Sequence, residues 1–91
     1  MATQVTDNPA RHRFELTLDG HTAFTVYALA GDVITFVHTE VPKELAGRGV
    51  GSILARGALD NVRTRHLKVI AECPFIAAFI AKHAEFADLL A

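Results

Sequence analysis

The chain has 91 residues, of which 51% are hydrophobic and 21% are charged, and its net charge is −1. This length and balance favour one small domain with a compact core and exclude a disordered chain. The net charge close to zero, with acidic and basic residues interspersed, also excludes the basic surface of a nucleic-acid-binding protein. No apolar run approaches the roughly 18 residues of a membrane span.

The N-terminal residues are polar. Residues 1–10 contain Pro9 and are predicted to be a flexible leader, and residues 11–91 are predicted to form a single domain. The start of the chain lacks the apolar segment of a secretory signal. Cys73 is the only cysteine, so an internal disulfide cannot form. A cytoplasmic location is therefore expected.

Three strands are predicted next, over residues 12–18, 21–29 and 33–41. The segment "HRFELTL" alternates apolar and polar residues, and Asp19 with Gly20 signals a hairpin to the return strand "HTAFTVYAL". The third strand, "VITFVHTEV", is apolar on both faces through Val37 and is therefore expected to be central. Pro42 ends this strand.

A glycine loop and a helix over about residues 50–65 follow the third strand. A fourth strand, "LKVIAEC", and a second helix, "PFIAAFIAKH", complete the order β-β-β-α-β-α. This order indicates an α+β fold with a mixed sheet, in which the third and fourth strands are parallel. Ligands bind such units beyond the carboxyl ends of the strands. The glycine loop and the "ECPF" segment are therefore expected to meet at one site.

The loop carries glycines at positions 47, 49 and 51, directly before the helix. Glycines let the backbone approach a ligand closely, and the amides of residues 48–52 at the helix start favour a phosphate or pyrophosphate. Arg48 adds a positive charge. The spacing fits neither a P-loop nor the dinucleotide-binding fingerprint. A glycine-rich connection that binds no ligand is the alternative.

Two further features point to the same edge of the sheet. Cys73 stands at the start of the second helix, where a thiolate is stabilised; a small buried hydrophobic residue is the alternative. His38 and Glu40 are predicted to lie on the face of the third strand that carries Ile34 and Phe36. This pair suggests a role in proton transfer. The alternative is that the two residues are simply the solvated end of the strand. The histidines lack metal-ligand spacing, so no metal site is predicted.

The stretch "LAGRGVGSILARGAL" resembles motif A of the Gcn5-related N-acetyltransferases, whose signature is Gln/Arg-x-x-Gly-x-Gly/Ala. Gly49 and Gly51 match its two small positions, and Arg48 matches a frequent arginine. Ala46 departs from the first position. With H-T-E-V-P and the C-P-F helix, the chain is similar to a subfamily of very short acetyltransferase-like proteins, over nearly its whole length after residue 11.

This resemblance implies a minimal acetyltransferase fold, with the third and fourth strands splayed around acetyl-coenzyme A. It implies that the pantetheine arm lies along the end of the third strand and that the thioester points toward Cys73. The residues then expected to bind acetyl-coenzyme A are Val41, Arg48, Gly49, Val50, Gly51 and Ser52. The residues then expected to act in catalysis are Cys73, Glu40 and His38.

Two functions compete under this resemblance: acetyl transfer to an unknown amine by direct attack, and binding of acetyl-coenzyme A or coenzyme A with little or no turnover. Glu40 matches a glutamate that serves as base in some members. Phe75 and Phe79 stand on the helix where a tyrosine often protonates the leaving thiolate, so Cys73 or water must replace it. Transfer through an acyl-Cys73 thioester is a third alternative. The acceptor site is expected to be open, shared with a partner, or absent.

Overall fold

The computed structural model describes residues 4–91. Residues 1–3 of the predicted leader lie outside this range. The five strands are β1 (Thr6–Asn8), β2 (Arg13–Leu18), β3 (His21–Ala30), β4 (Val33–Glu40) and β5 (Lys68–Ala71). The helices are α1 (Val50–Thr64) and α2 (Pro74–Lys82), and short 3-10 turns cover residues 9–11, 43–45 and 84–89. Within the described residues, neither helix has the length and apolar character to cross a membrane.

The strands form one mixed sheet in the order β1-β2-β3-β4-β5. Antiparallel pairing joins β1 through β4, and β4 pairs with β5 in parallel after the chain crosses over through α1. The predicted third and fourth strands are β4 and β5. The predicted α+β fold with a mixed sheet is therefore confirmed.

The core lies on one face of the sheet, against which α1 packs on β2 and β3 while α2 packs on β4 and β5. Ile34 and Phe36 of β4 are fully buried on this face. On the other face, Val37 is 45% exposed and Ile70 is 44% exposed. The strand β4 is central, as predicted, because β3 and β5 flank it, but only one of its two faces is covered.

Within the predicted leader, residues 1–10, residues 6–10 form strand β1 and part of the first 3-10 turn. Thr6–Asn8 pair with β2 as an edge strand, with Asp7 opposite Phe14. The Tyr27 hydroxyl donates a hydrogen bond of 2.6 Å to Asp7, and Arg65 donates one of 3.3 Å to the same carboxylate. This polar segment has no apolar pattern of its own. Its order comes from pairing with β2 and from these two hydrogen-bond donors.

Tyr27 makes the stability of the fold sensitive to alkaline pH. Burial, assisted by the hydrogen bond to Asp7, raises the pKa of Tyr27 from 10.0 to about 12. Because the native state requires the protonated phenol, the stability that Tyr27 contributes is fully present below pH 10 and is lost as the pH rises toward 12. We expect the free energy of unfolding to fall by about 2–3 kcal/mol across this window.

Denaturant unfolding at a series of pH values measures this loss, and Tyr27→Phe is the control variant because it cannot ionise. Tyr27 is the only tyrosine, so tyrosinate absorbance reports its ionisation alone. Equal pH dependence of the wild type and Tyr27→Phe would contradict the assignment.

Candidate active site

A β-bulge sets the direction of the side chains at the carboxyl end of β4. The register with β3 shifts between Val26 and Tyr27, and Val37 is left without a partner in β3. One extra residue reverses the alternation of a strand. As a result, His38 and Glu40 point to the exposed face of the sheet.

The prediction that His38 and Glu40 share a face with Ile34 is therefore wrong. Their partners across the sheet are Val26 and Phe24, which stand on the exposed side. The His38 Nε2 atom lies 3.0 Å from Glu40 Oε2, and the two side chains are 57% and 60% exposed. They form a solvent-facing imidazole–carboxylate pair, which is a competent arrangement for accepting a proton.

On the buried face, the bulge brings Thr39 into the position that the alternation assigns to His38. The Thr39 hydroxyl donates a hydrogen bond of 2.9 Å to the Thr25 hydroxyl and lies 3.2 Å from the Cys73 sulfur. Thr25 is fully buried, and Cys73 is 2% exposed. Neither threonine could be predicted as a neighbour of Cys73, because nothing in the sequence marks the bulge that aligns them with it.

The strands β4 and β5 separate after Phe36, which pairs with Ala71 at the end of the parallel register. The Phe36 carbonyl then accepts hydrogen bonds from the amides of both Glu72, at 3.0 Å, and Cys73, at 2.8 Å. Residues 37–40 continue alongside β3 and have no partner in the register with β5. We call this opening, between residues 37–40 and Glu72–Cys73, the fork.

The three loop glycines serve two purposes. Gly47 and Gly49 adopt left-handed backbone conformations, with φ of 79° and 74°. A Cβ atom at either position would have no neighbour within 4 Å, so the backbone conformation itself calls for glycine. A Cβ atom at Gly51 would instead lie 2.8 Å from Cζ of Phe75. Gly51 thus makes room for the ring of Phe75 on α2.

A cleft of about 300 Å³ lies between this loop and α2, and its lining includes Val41, Ser52 and Phe75. The first amides of α1, from Val50 to Ser52, have no acceptor within the helix. Gly49 precedes them as the N-cap and offers no capping side chain. The cleft therefore combines unpaired donors with the positive end of a helix dipole, which suits a phosphate group. Of the residues predicted to bind acetyl-coenzyme A, the structure brings all but Arg48 to this cleft.

Arg48 does not line the cleft. Its guanidinium donates a hydrogen bond of 2.9 Å to Asp19 in the turn between β2 and β3. Its amide donates to the Leu45 carbonyl at 3.3 Å. The prediction that the Arg48 amide is free for an anion is therefore wrong, because the turn over residues 43–45 already satisfies it.

Comparison with known proteins gives consistent matches. A family model described as GCN5-related N-acetyl-transferase matches residues 13–89. Protein NATD1 of Gallus gallus is 32% identical over 83 residues, covering 88% of this chain and 76% of that protein. Protein NATD1 of Mus musculus is 33% identical over 76 residues, covering 80% and 69%. The NMR solution structure of a GCN5-like protein from Staphylococcus aureus superposes with a TM-score of 0.74 at 26% identity, covering 98% of this chain and 88% of that one.

Proposed function

Because the chain belongs to the GCN5-related N-acetyltransferase family, we propose that it binds acetyl-coenzyme A and transfers the acetyl group to an amine by direct attack. The observation that carries the proposal is the cleft at the start of α1, beside the fork, where the helix amides have no acceptor of their own. Helix N-termini with free amides bind phosphate groups through both hydrogen bonds and the helix dipole.

In this proposal, the amides of Val50, Gly51 and Ser52 bind the pyrophosphate of acetyl-coenzyme A. Val41 and Phe75 supply apolar walls for the pantetheine arm, since both line the cleft. The open edge of residues 37–40 offers main-chain groups to the amides of that arm, as a sheet edge does to an added strand. Arg48 contributes only its charge at a distance while it remains paired with Asp19.

The acceptor amine approaches from the exposed face of the fork. The helix-side face is filled by buried groups, including Thr25 and Cys73. His38 and Glu40 stand on the exposed face, 3.0 Å apart, and are open to solvent. Glu40 orients the imidazole of His38, and the pair accepts the proton that the amine releases as it attacks.

Protonation of the leaving thiolate falls to Cys73. Phe75 and Phe79 carry no hydroxyl, and the ring of Phe79 stacks on His83 with 4.1 Å between centroids. The Cys73 sulfur is a protein group with an exchangeable proton next to the fork, and its amide is bonded at the apex of the fork. Cys73 is a free thiol, which a reducing compartment preserves, so the proposal includes a cytoplasmic location.

A binding module with little or no turnover is the second candidate. It is favoured by the position of the proton-accepting pair, because His38 and Glu40 lie on the exposed face while Cys73 is buried on the other. Such a protein would hold acetyl-coenzyme A or coenzyme A through the same cleft without delivering an acceptor to it.

Calorimetric titration with acetyl-coenzyme A, followed by an assay of its consumption with a panel of amines and peptides, tests both candidates. Binding of acetyl-coenzyme A together with its amine-dependent consumption supports the transferase. Binding of acetyl-coenzyme A without its consumption supports the binding module. Absence of binding overturns both. A mass increase of one acetyl group on the protein, lost in Cys73→Ala, would replace direct attack by transfer through an acyl-cysteine.

A further inference from the structure

We propose that this chain selects coenzyme A by its ribose phosphate, which Lys82, His83 and Arg56 bind in a trough that continues the cleft between α1 and α2. The inference rests on the proposed function and assigns a further part of the same ligand. In coenzyme A, the ribose next to the pyrophosphate carries a terminal phosphate group and the adenine base. A protein that binds this phosphate distinguishes coenzyme A from the otherwise identical molecule that lacks it.

Two cavities continue the cleft in the space between α1 and α2. The smaller cavity, of about 200 Å³, shares Ser52 and Phe75 with the cleft. The wider cavity, of about 430 Å³, shares Ser52, Phe79 and His83 with the smaller one. Ser52 stands in the first turn of α1 and lines all three spaces. Together they form one trough, in which a ligand that is bound at the helix amides has room to continue.

Basic side chains meet where the smaller cavity joins the wider one. Lys82 and His83 line the smaller cavity, and His83 and Arg56 line the wider one. The Arg56 Nη2 atom lies 3.5 Å from His83 Nδ1, so the guanidinium reaches the junction of the two cavities. A phosphate monoester carries a charge of about −1.5 to −2 at neutral pH and forms strong hydrogen bonds with cationic donors. The junction is therefore the position that suits the ribose phosphate.

Neighbouring side chains hold two of these donors in place before a ligand binds. An arginine can only donate, so Nδ1 of the neutral His83 ring accepts from Arg56 and its Nε2 atom carries the proton. The His83 ring stacks on Phe79 with 4.1 Å between centroids. Arg56 lies over the ring of Phe86 at 5.4 Å and donates a hydrogen bond of 3.2 Å to Glu85. A guanidinium has five N–H donors, so these contacts leave Arg56 able to donate to a phosphate as well.

The wider cavity suits the adenine base. Its walls include the apolar side chains of Val5, Ile53 and Phe79, and Ile53 is 43% exposed. A flat base covers such side chains and removes their apolar surface from water. Asp60 lines the same cavity, and its carboxylate can accept a hydrogen bond from the amino group of adenine. Its negative charge repels a phosphate, which assigns the phosphate to the Lys82 end of the trough.

Calorimetric titration with coenzyme A and with dephospho-coenzyme A, which lacks only the ribose phosphate, tests the proposal. We expect the wild type to bind dephospho-coenzyme A about tenfold or more weakly, because it lacks the charge-assisted hydrogen bonds. Lys82→Gln and Arg56→Gln should each weaken the binding of coenzyme A about threefold or more and leave the Kd of dephospho-coenzyme A nearly unchanged. In the double variant the two Kd values should agree within about twofold.

The chain offers a matched control for Arg56→Gln in Arg63→Gln. Arg63 also lies over the ring of Phe86, at 5.9 Å, and also pairs with a carboxylate, that of Asp88, at 2.9 Å. It stands two helical turns after Arg56 and does not line the trough. Both substitutions remove one positive charge, so a general effect of net charge would appear in both. We expect Arg63→Gln to keep the wild-type ratio of the two Kd values.

The comparison of the two ligands separates this inference from the proposed function. Equal affinity of the wild type for coenzyme A and dephospho-coenzyme A would overturn recognition of the ribose phosphate and leave acetyl-coenzyme A binding intact. A preference for coenzyme A that persists in the folded double variant would overturn the assignment to Lys82 and Arg56. Failure of the wild type to bind either ligand would overturn the proposed function itself, and this inference with it.

Discussion

Replacing Gly49 by valine is expected to weaken acetyl-coenzyme A binding about a hundredfold or more while the protein remains folded. Gly49 has φ of 74°, which costs a residue with a Cβ atom about 1–2 kcal/mol. That cost is tolerable against the roughly 5–15 kcal/mol that stabilises a typical domain. Valine relieves the strain by turning the backbone, which moves the amides of Val50–Ser52 away from the pyrophosphate.

Gly31→Val is the matched control for this prediction, and calorimetric titration is the measurement. Gly31 also has a positive φ, 61°, and a Cβ atom there would likewise have no neighbour within 4 Å. It lies in the turn between β3 and β4, outside the cleft. Both variants should lose similar stability, but only Gly49→Val should lose affinity. An unchanged affinity for acetyl-coenzyme A in a folded Gly49→Val protein would contradict the assignment of the pyrophosphate to this loop.

Gly51→Val is also expected to weaken acetyl-coenzyme A binding, but for a different physical reason. The added side chain meets the ring of Phe75, whose Cζ atom would lie 2.8 Å from the new Cβ atom, and approaches Val41 as well. Phe75 is partly exposed and can move, so the fold should survive while the cleft fills. A titration in which Gly51→Val binds acetyl-coenzyme A as the wild type does would show that this part of the cleft stays outside the binding site.

Replacing Glu40 by glutamine is expected to lower kcat about a hundredfold or more and to change the Kd of acetyl-coenzyme A little. The carboxylate lies 3.0 Å from His38 and stabilises the charged imidazole that forms when the amine gives up its proton. Glutamine keeps the size of the side chain but removes its charge. Binding depends on the cleft at α1, which Glu40 does not line.

The chain offers a matched control for this variant in Glu44, an exposed carboxylate that faces a histidine, His21, at 3.9 Å. Glu44→Gln should leave kcat within about twofold of the wild type, because neither Glu44 nor His21 belongs to the fork where the acceptor amine is proposed to react. Steady-state rates with one acetylated amine compare the two variants. An unchanged rate in Glu40→Gln would transfer the role of base to His38 alone or to water.

The fold could be predicted from the sequence because periodicity and turn residues agree along most of the chain. The predicted helix over about residues 50–65 is observed as Val50–Thr64, and the Asp19–Gly20 turn joins β2 to β3 as expected. The short strand β1 could not be predicted. Its three polar residues are too few to show an alternating pattern, and they depend on pairing with β2 and on the Tyr27 hydroxyl, which lies 20 positions from Asp7 in the sequence.

The site could be predicted only in part, for a similar reason. The glycine spacing indicates the loop correctly, because backbone conformation is a local property. The bulge at Val37 has no local sign, since the three residues after it, His38, Thr39 and Glu40, are all polar and fit either alternation. This single extra residue exchanges His38 for Thr39 on the buried face. The pairing of Arg48 with Asp19 joins residues that are 29 positions apart, so it appears only after the chain has folded.

Main-chain atoms alone form the apex of the fork, where one carbonyl, that of Phe36, receives the amides of Glu72 and Cys73. The side chains at positions 72 and 73 can therefore be exchanged during evolution without altering the width of the opening. Proline is excluded at both positions because it lacks the N–H group, and position 73, where Cys73 is 2% exposed, accepts only a small side chain. A descendant of this chain could carry a different acid or nucleophile at position 73 in the same location. The backbone thus keeps the position of residue 73 constant, so that a single substitution there can change the chemistry of the site without changing the fold.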